Sequence, residues 1–460
     1  MPEAAPAAPT LSSRAIGLFK KLKFLVEPPL EFDPALEIDR SLLENCKPHH
    51  RKAVELALTD LYGVRYETLI RLPKSWEAAL CANVLNDPRD LRLFLTFVQV
   101  TLWLAFSSAV QLLLLPKDTW AGMLWLVPHV VVTWVVFGQR FILAMHYAAH
   151  RPLIKPKLGL VASVLNAFPQ LILSNFYGMP AGTYYVHHCI MHHQANNFFP
   201  YDISSTMPYQ RDSPFHFVAY VLNFVLHTFL YLPFYALKKR RFDIAFGCAA
   251  CVGVYFAAFP LIYGAHPNFF LTSFGVSFIL GPFALMLGNY SQHIFVDPAN
   301  PQSNYTLACN HINAPFNMLT FNDGYHITHH VSSITHWSEM PLHFIRHIDQ
   351  YEKGGAILFR GIPFDDVTFS VFAGEKGLRR LASKIVQLRP DPLSEDELVA
   401  MMRQRLQPIR SEKDKLGSPQ LSVFLANEIW WLVVFLLGFP YAYLPAIAVP
   451  LFHSIVWTAA

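Results

Sequence analysis

Charged residues are scarce in this chain of 460 residues, where Asp, Glu, Lys and Arg together make up 15% of the sequence. An ordinary soluble domain carries about 25%. Hydrophobic residues make up 53%, and the mean hydropathy is +0.29. We therefore expect much of the surface to face lipid. The net charge of +4 is small and dispersed, which argues against a nucleic-acid partner.

Cysteine is also rare, and the six cysteines do not form the compact framework of a small secreted domain. Cys248 and Cys251 make a C-x-x-C pattern inside an apolar run. Small residues packing between helices is the favoured interpretation there, rather than a redox or zinc site.

Long apolar runs are abundant, and a membrane-spanning helix needs about 20 such residues. The runs that qualify are 93–115, 120–138 (continued by 141–145), 242–264, 269–292, 421–437 and 441–456. Two further stretches, 158–178 and 215–237, are apolar enough to touch lipid but are interrupted by polar residues and proline.

Histidines occur in three groups at the ends of these runs. They lie in HYAAH (His146, His150), in HHCIMHH (His187, His188, His192, His193) and in HITHH (His326, His329, His330). Residues three or four apart share one face of a helix, so each group presents two or three imidazoles in one direction. Neutral imidazole is a good ligand for iron, copper or zinc, so the groups together predict a metal site.

The three histidine groups can meet at one site only if they lie on the same side of the membrane. An even number of membrane crossings must therefore separate them. Four basic residues at 238–241 follow the 215–237 stretch, and such a cluster prefers the cytosolic side. We therefore interpret 215–237 as an interfacial or re-entrant helix, and 242–264 with 269–292 as a pair that crosses and returns. The sequence predicts an all-α, multi-pass transmembrane bundle with a four-span core and a cytosolic histidine-rich cap.

The pattern H-x3-H, H-x3-H-H and H-x2-H-H around membrane spans resembles the membrane fatty-acid desaturase and hydroxylase superfamily. Two elements sharpen the resemblance: Asn289-Tyr-Ser-Gln-His293 is similar to an N-x3-H element of stearoyl-CoA desaturases, and the segment from Asp323 to His330 is similar to their third box. The resemblance implies two non-haem Fe2+ ions. It also implies that His293 is a ligand, that Asn289 holds a metal through water, and that Asp323 orients an imidazole.

The implied metal ligands are His146, His150, His188, His192, His193, His293, His326, His329 and His330. The second box departs from the family pattern, because three residues rather than two separate its first histidine from the pair. His188 is the preferred ligand and His187 the competitor. His311 and His336 lie outside the boxes and are expected to be structural.

The resemblance implies an O2-dependent desaturase of a long-chain acyl lipid in the bilayer. The sequence has no H-P-G-G motif of a fused cytochrome b5 domain, so electrons are expected from a separate donor such as cytochrome b5 or ferredoxin. A hydroxylase or alkane-type monooxygenase is the alternative. A haem-bearing carrier would need histidines facing one another within spans, whereas these histidines are crowded at span ends. A transporter would need ionisable residues at mid-membrane depth, and the spans have almost none.

We divide the chain into an N-terminal polar and amphipathic cytosolic region (1–90), a desaturase-like core (91–345), a polar cytosolic segment (346–420) and a C-terminal apolar pair (421–460). A capping box at Ser394–Glu397 predicts a helix that runs to Leu406. The resemblance places a eukaryotic protein of this kind in the endoplasmic reticulum membrane.

Overall fold

A computed structural model describes residues 39–62, 72–199, 201–314 and 316–409 of the protein. The predicted C-terminal apolar pair, and the first 38 residues of the predicted N-terminal region, lie outside the described residues.

Helices make up most of the described chain, which confirms the predicted fold class. The longer helices are α1 (Arg51–Tyr62), α2 (Lys74–Asn83), α3 (Leu91–Ala109), α4 (Gly138–His150), α5 (Leu160–Leu171), α6 (Pro214–Lys238), α7 (Phe242–Ala265), α8 (Val276–Gln292), α9 (His326–Val331), α10 (Phe364–Phe372), α11 (Glu375–Ala382) and α12 (Glu395–Arg405). α9, although short, is included because it carries the third histidine box.

Shorter helical pieces connect these helices or extend them. They are Ser41–Glu44, Pro48–His50, Pro88–Asp90, Val110–Leu114, Trp120–Met123, Leu126–Val130, Val131–Val136, Pro156–Leu158, Leu173–Tyr177, Thr183–Tyr185, Val186–His192, His193–Ala195, Pro267–Phe270, Leu271–Gly275, Trp337–Glu339, Met340–Arg346 and Ile348–Gly354. Two strands, β1 (Cys309–Ile312) and β2 (Ile357–Arg360), pair in parallel with Cys309 opposite Ile357.

Four helical stretches within the described residues are long and apolar enough to cross a membrane. They are Pro88–Leu114, Leu160–Tyr177, Phe242–Ala265 and Pro267–Gln292. The second of these corresponds to the 158–178 stretch, which the sequence predicts only to touch lipid. Many of their side chains point outward without a protein neighbour, as expected for lipid-facing positions; Leu113 and Phe246, for example, are 79% and 70% exposed.

Two further candidate spans are bent. Trp120–Val136 and Gly138–His150 meet at 49°, directly after the π-helical turn Val131–Val136, which is a common cause of kinks. Pro214–Phe229 and Tyr231–Lys238 meet at 61°. Pro233 lies in the second half of this helix and cannot donate the bond to the carbonyl four residues earlier, at the bend. The two halves together are apolar enough to cross a membrane, so the bent helix fits a broken span as well as the predicted interfacial or re-entrant helix at 215–237.

The polar segment after the core folds back onto it. The predicted capping box is present, with Ser394 and Glu397 satisfying each other's backbone N–H, and it begins α12. Leu398 and Met402 on one face of α12 are buried in the same apolar core as α6 and α8. The buried Arg211 guanidinium donates to the carbonyl of Arg405 at 2.6 Å. The segment is thereby fixed next to the C-terminal end of α8, which His293 follows.

Candidate metal centre

The structure brings all nine predicted ligands together. α4 ends with the first histidine box, and α9 carries the third. The second box lies on the helical turn Val186–His192 and the short helix His193–Ala195 that follows it. His293 directly follows α8. The histidines form two adjacent groups. Cluster 1 contains His146, His150, His188, His193 and His329. Cluster 2 contains His192, His293, His326 and His330.

Cluster 1 is a chain of close ring nitrogens. The Nε2 atoms of His150 and His188 are 2.9 Å apart, those of His188 and His193 are 3.0 Å apart, and those of His193 and His329 are 2.9 Å apart. His146 offers a ring nitrogen within 4.8 Å of those of His150, His188 and His329. Four or five imidazoles therefore surround one small volume.

Cluster 2 is a compact triangle with a fourth member. His293 Nε2 lies 3.0 Å from His326 Nε2 and 3.3 Å from His330 Nε2, and the remaining side of the triangle is 3.2 Å. His192 completes the group, with its ring centroid 5.3 Å from that of His293.

Proton positions in cluster 2 test whether a metal fits. A neutral imidazole has one N–H. His293 Nδ1 lies 2.9 Å from the carbonyl oxygen of Leu307, and His330 Nδ1 lies 2.9 Å from Asn196 Oδ1. Both contacts place the proton on Nδ1, because the partner atoms only accept. The two Nε2 atoms then face each other as bare lone pairs, an arrangement that a bound cation would make favourable.

His192 is oriented in the same way by Asp202, which the sequence analysis missed. His192 Nδ1 donates to Asp202 Oδ2 at 2.7 Å, and the carboxylate also accepts from the backbone N–H of Asn197 and Ser204 and from the Ser204 hydroxyl. Burial raises the pKa of Asp202, but the charge and hydrogen bond of His192 outweigh it, so the pKa lies below its ordinary value. This is the carboxylate–histidine pair typical of metal sites.

The sequence does contain a signal for Asp202. It is the only Asp, Glu, Lys or Arg between Lys157 and Arg211. A lone carboxylate in such an uncharged stretch requires a partner if it is buried. Asn196 carried no comparable signal, because its contact with His330 depends on the left-handed backbone at Asn196 and Asn197, whose φ values are 54° and 60°.

The second box is not an α-helix. Residues Val186–His192 form a π-helical turn, which accommodates one more residue per turn than an α-helix. The extra residue between His188 and His192 is absorbed there, so both His188 and the pair His192–His193 still reach the clusters.

The competing histidines of the second box point in different directions. His188 joins cluster 1, and its ring stacks on Tyr184 with centroids 5.3 Å apart. His187 instead places Nε2 2.9 Å from Ser204 Oγ, and its ring packs against Phe224. The geometry therefore favours His188 as the ligand.

Asp323 and Asn289 lie close to the clusters but do not belong to them. Asp323 Oδ2 accepts from Gln292 Nε2 at 2.6 Å, and Oδ1 lies 3.9 Å from His146 Nε2. Asp323 Oδ1 and His146 Nε2 are both buried without a hydrogen-bond partner. Burial raises the pKa of Asp323 to about 7. The amide nitrogen of Asn289 donates to the Ser204 carbonyl at 3.0 Å and to the Tyr220 hydroxyl at 2.7 Å.

α1 supports the third box from outside the predicted core. Asp60 Oδ2 accepts from the Tyr325 hydroxyl at 2.7 Å, from the Asn313 N–H at 2.6 Å and from Asn317 Nδ2 at 3.1 Å. Next to Tyr325, a Cβ on Gly324 would lie 2.2 Å from Asn317 Oδ1, so only glycine fits there. These contacts fix the turn that starts α9.

His311 and His336 hold the surrounding scaffold rather than joining either cluster. His311 Nδ1 lies 3.2 Å from the carbonyl of Ile362, and His336 Nε2 lies 2.9 Å from Asp90 Oδ1. Both contacts agree with the expected structural role.

Burial keeps the clustered imidazoles neutral. The pKa values of His188, His326, His329 and His330 lie well below the ordinary value of 6.5, because burial and then the neighbouring imidazoles disfavour the charged form. Neutral rings with converging lone pairs fit a divalent transition metal.

A model of the family described as "Fatty acid desaturase" matches residues 119–361, which contain both clusters. This chain belongs to the fatty acid desaturase family. No curated protein and no solved structure matches it significantly. Membership of this family implies an oxidoreductase of the desaturase and hydroxylase type. It also implies a membrane context, which agrees with the apolar helices.

Proposed function

We propose that this protein catalyses the O2-dependent desaturation of a long-chain acyl lipid at a pair of histidine-bound, non-haem iron ions. Electrons would come from a separate donor such as cytochrome b5 or ferredoxin. The observation that carries the proposal is the convergence of nine imidazoles, of which His293 and His330 have their Nδ1 protons committed to oxygen acceptors. Family membership supplies the reaction type.

Each cluster would hold one iron. A bound iron pair supplies the O2 activation needed to take hydrogen from a methylene, and the protein supplies ligands, orientation and exclusion of water. Asp202 fixes the ring of His192. Asp323 Oδ1 and His146 Nε2 face each other across 3.9 Å, so the carboxyl group is placed to orient that imidazole or a ligand between them. Asn289 is placed to act through water, with Tyr220 and Ser204 fixing its amide.

A small apolar cavity lies next to cluster 1. It is lined by Tyr184, whose hydroxyl lies 3.2 Å from His146 Nδ1. Phe224 and Leu285 form part of its wall. We propose that the acyl chain approaches cluster 1 along this apolar wall, which must widen to admit it.

The clusters would face the cytosol. The four basic residues at 238–241, at the end of α6, support this orientation, because groups of Lys and Arg next to a membrane segment prefer the cytosolic side. In a eukaryotic cell the endoplasmic reticulum membrane is the expected location.

Hydroxylation is the alternative outcome of the same chemistry. The G-N-Y-x-x-H stretch at 288–293 is similar to an element of alkane monooxygenases, with Gln292 where those enzymes have glutamate. In the structure Gln292 binds Asp323.

Product analysis separates the two reactions. The protein is expressed in a host together with an electron donor, and lipids are compared by mass spectrometry with those from cells that make His329→Ala. New carbon–carbon double bonds that depend on His329 would support desaturation. New hydroxyl groups would favour the alternative, and unchanged lipids with iron bound would contradict the proposal.

A further inference from the structure

Asn196, Asn304 and His330 are joined in a closed ring of three hydrogen bonds at the edge of cluster 2. His330 Nδ1 lies 2.9 Å from Asn196 Oδ1. Asn196 Nδ2 donates to Asn304 Oδ1 at 2.6 Å, and Asn304 Nδ2 donates to the backbone carbonyl of His330 at 3.4 Å. Asn304 therefore contacts the backbone of His330 directly and its imidazole through Asn196.

The backbone carbonyl of His330 sets the direction of all three hydrogen bonds. A carbonyl only accepts, so the Asn304 atom that faces it must be the amide nitrogen. The Asn304 oxygen then faces Asn196, which must present its own nitrogen to Asn304 and its oxygen to His330. The imidazole proton of His330 is therefore on Nδ1.

The opposite orientation of the two amides is unfavourable. It would place the Asn304 oxygen 3.4 Å from the His330 carbonyl oxygen, so that two acceptors would face each other. It would also turn the Asn196 nitrogen towards His330 Nδ1 and move the ring proton to Nε2. That Nε2 atom lies 3.2 Å from His326 Nε2 and 3.3 Å from His293 Nε2, where a metal needs a bare lone pair.

The backbone at Asn196 determines which substitution can test this arrangement. Its φ of 54° is left-handed, a conformation that Asn and Asp adopt more readily than most other residues. The Asn196 N–H also donates to the carbonyl of His192 at 2.6 Å, so the turn directly follows the second box. Aspartate keeps this turn and offers only acceptors to His330, whichever way its side chain is turned.

We propose that Asn304 is a positioning residue for cluster 2. By accepting from Asn196 Nδ2, it holds the oxygen of that amide against His330 Nδ1. The ring proton then stays on Nδ1, and Nε2 is free to bind metal. The inference rests on the proposed function, because it concerns how one iron ligand of that reaction is held.

Metal release tests the inference without measuring turnover. The full-length, iron-loaded protein in detergent is mixed with an excess of a ferrous-iron chelator, and the coloured complex is followed over time. Asn304→Leu keeps the approximate size of the side chain and removes both of its polar atoms. We expect one phase of the release to become about threefold to tenfold faster, as for the loss of one net hydrogen bond.

The same substitution in a second background separates the orientation of the amide from packing of the loop. Asn196→Asp presents a carboxylate oxygen to His330 Nδ1 whether or not Asn304 holds it. Asn304→Leu should therefore leave the release rate unchanged when Asn196→Asp is already present. If Asn304 only packs its loop, the substitution should accelerate release equally in both backgrounds, and that result would overturn the inference.

Asn304→Asp provides a second variant at the same position. Its carboxylate still accepts from Asn196 Nδ2, so release should stay close to the wild-type rate. Release as fast as that of Asn304→Leu would contradict the inference. Asn300→Leu, at an exposed position in the same loop, should also leave the rate unchanged. Equal acceleration by Asn300→Leu would attribute the effect to the loop and overturn the inference.

The wild-type protein separates this inference from the proposed function. If the wild type holds iron and Asn304→Leu releases it no faster, the inference is overturned and the proposed function stands. A wild type that binds no iron would contradict both.

Discussion

Clusters 1 and 2 differ in how the protein holds their imidazoles. In cluster 2, the Nδ1 atoms of His192, His293 and His330 each meet a fixed oxygen, on Asp202, Leu307 and Asn196 respectively. The Nδ1 atom of the fourth member, His326, is buried without a partner.

In cluster 1, His329 Nδ1 is buried without a partner, and His146 Nδ1 meets the hydroxyl of Tyr184. Tyr184 also lines the cavity. Three of the four cluster 2 imidazoles are therefore held by oxygen acceptors of the scaffold, whereas in cluster 1 His146 contacts a hydroxyl that lines the apolar cavity.

The largest expected effect tests whether both clusters are needed. His329→Ala in cluster 1 and His326→Ala in cluster 2 should each abolish turnover, because the proposed reaction requires both metals. Turnover is measured from oxidised lipid products, with membrane insertion checked by fractionation. Full turnover in either variant would show that the cluster concerned is not catalytic.

The second prediction separates the neighbouring histidines of box two. His188→Ala should lose iron from cluster 1, because it removes a nitrogen that lies 2.9–3.0 Å from those of His150 and His193. His187→Ala should keep the wild-type iron content, since its Nε2 binds Ser204 instead. Iron is measured by elemental analysis of both purified variants. Loss of iron in His187→Ala alone would reverse the assignment.

The third prediction concerns the carboxylate behind cluster 2. Asp202→Asn should lower metal affinity about 10-fold to 100-fold, as is usual when the partner of a metal-binding histidine is weakened. Asp212→Asn is a suitable control, because the Asp212 side chain binds Gln210 near the protein surface. Metal release to a chelator is followed over time. Equal release rates for the wild type and Asp202→Asn would contradict the role of Asp202.

Tyr184→Phe is the matching change at cluster 1, and it sharpens the contrast. It removes the hydroxyl near His146 but no ligand, and the cluster 1 imidazoles remain packed on one another. We expect its metal release to change less than that of Asp202→Asn. A larger change would mean that cluster 1, rather than cluster 2, depends on a single outward hydrogen bond.

The smallest effect is on stability and concerns α1. Burial raises the pKa of Asp60 from 3.8 to about 7. A carboxyl with a raised pKa in the folded state binds more protons when folded, so the contribution of Asp60 to stability is largest below about pH 4 and falls as the pH rises towards 7. Asp60→Asn should flatten this part of the profile, as measured by thermal unfolding of the purified protein. Glu55→Gln, on the exposed side of the same helix, should leave the profile unchanged.

The sequence was sufficient to single out the nine histidines that the structure brings together, because the spacing within each box is local. Each box places imidazoles on one helical face, and His293 follows a long apolar helix in a recognisable N-x3-H element. The interpretation of 215–237 as an interfacial or re-entrant helix stays a prediction, because the 61° bend also fits a broken span.

Other features depend on contacts that no short pattern encodes. The π-helical turn at Val186–His192 was not predicted, because hydrophobic spacing does not distinguish it from an α-helix with one extra residue. Asn196 reaches His330 only through a left-handed turn. Asp60 approaches Tyr325 from 265 residues away in sequence.

The most direct test of the metal centre is elemental analysis and absorption spectroscopy of the detergent-purified protein beside its His329→Ala variant. The account predicts about two irons per chain, no Soret band, and loss of iron in the variant. Zinc alone, a haem spectrum, or a well-folded protein without metal would contradict it.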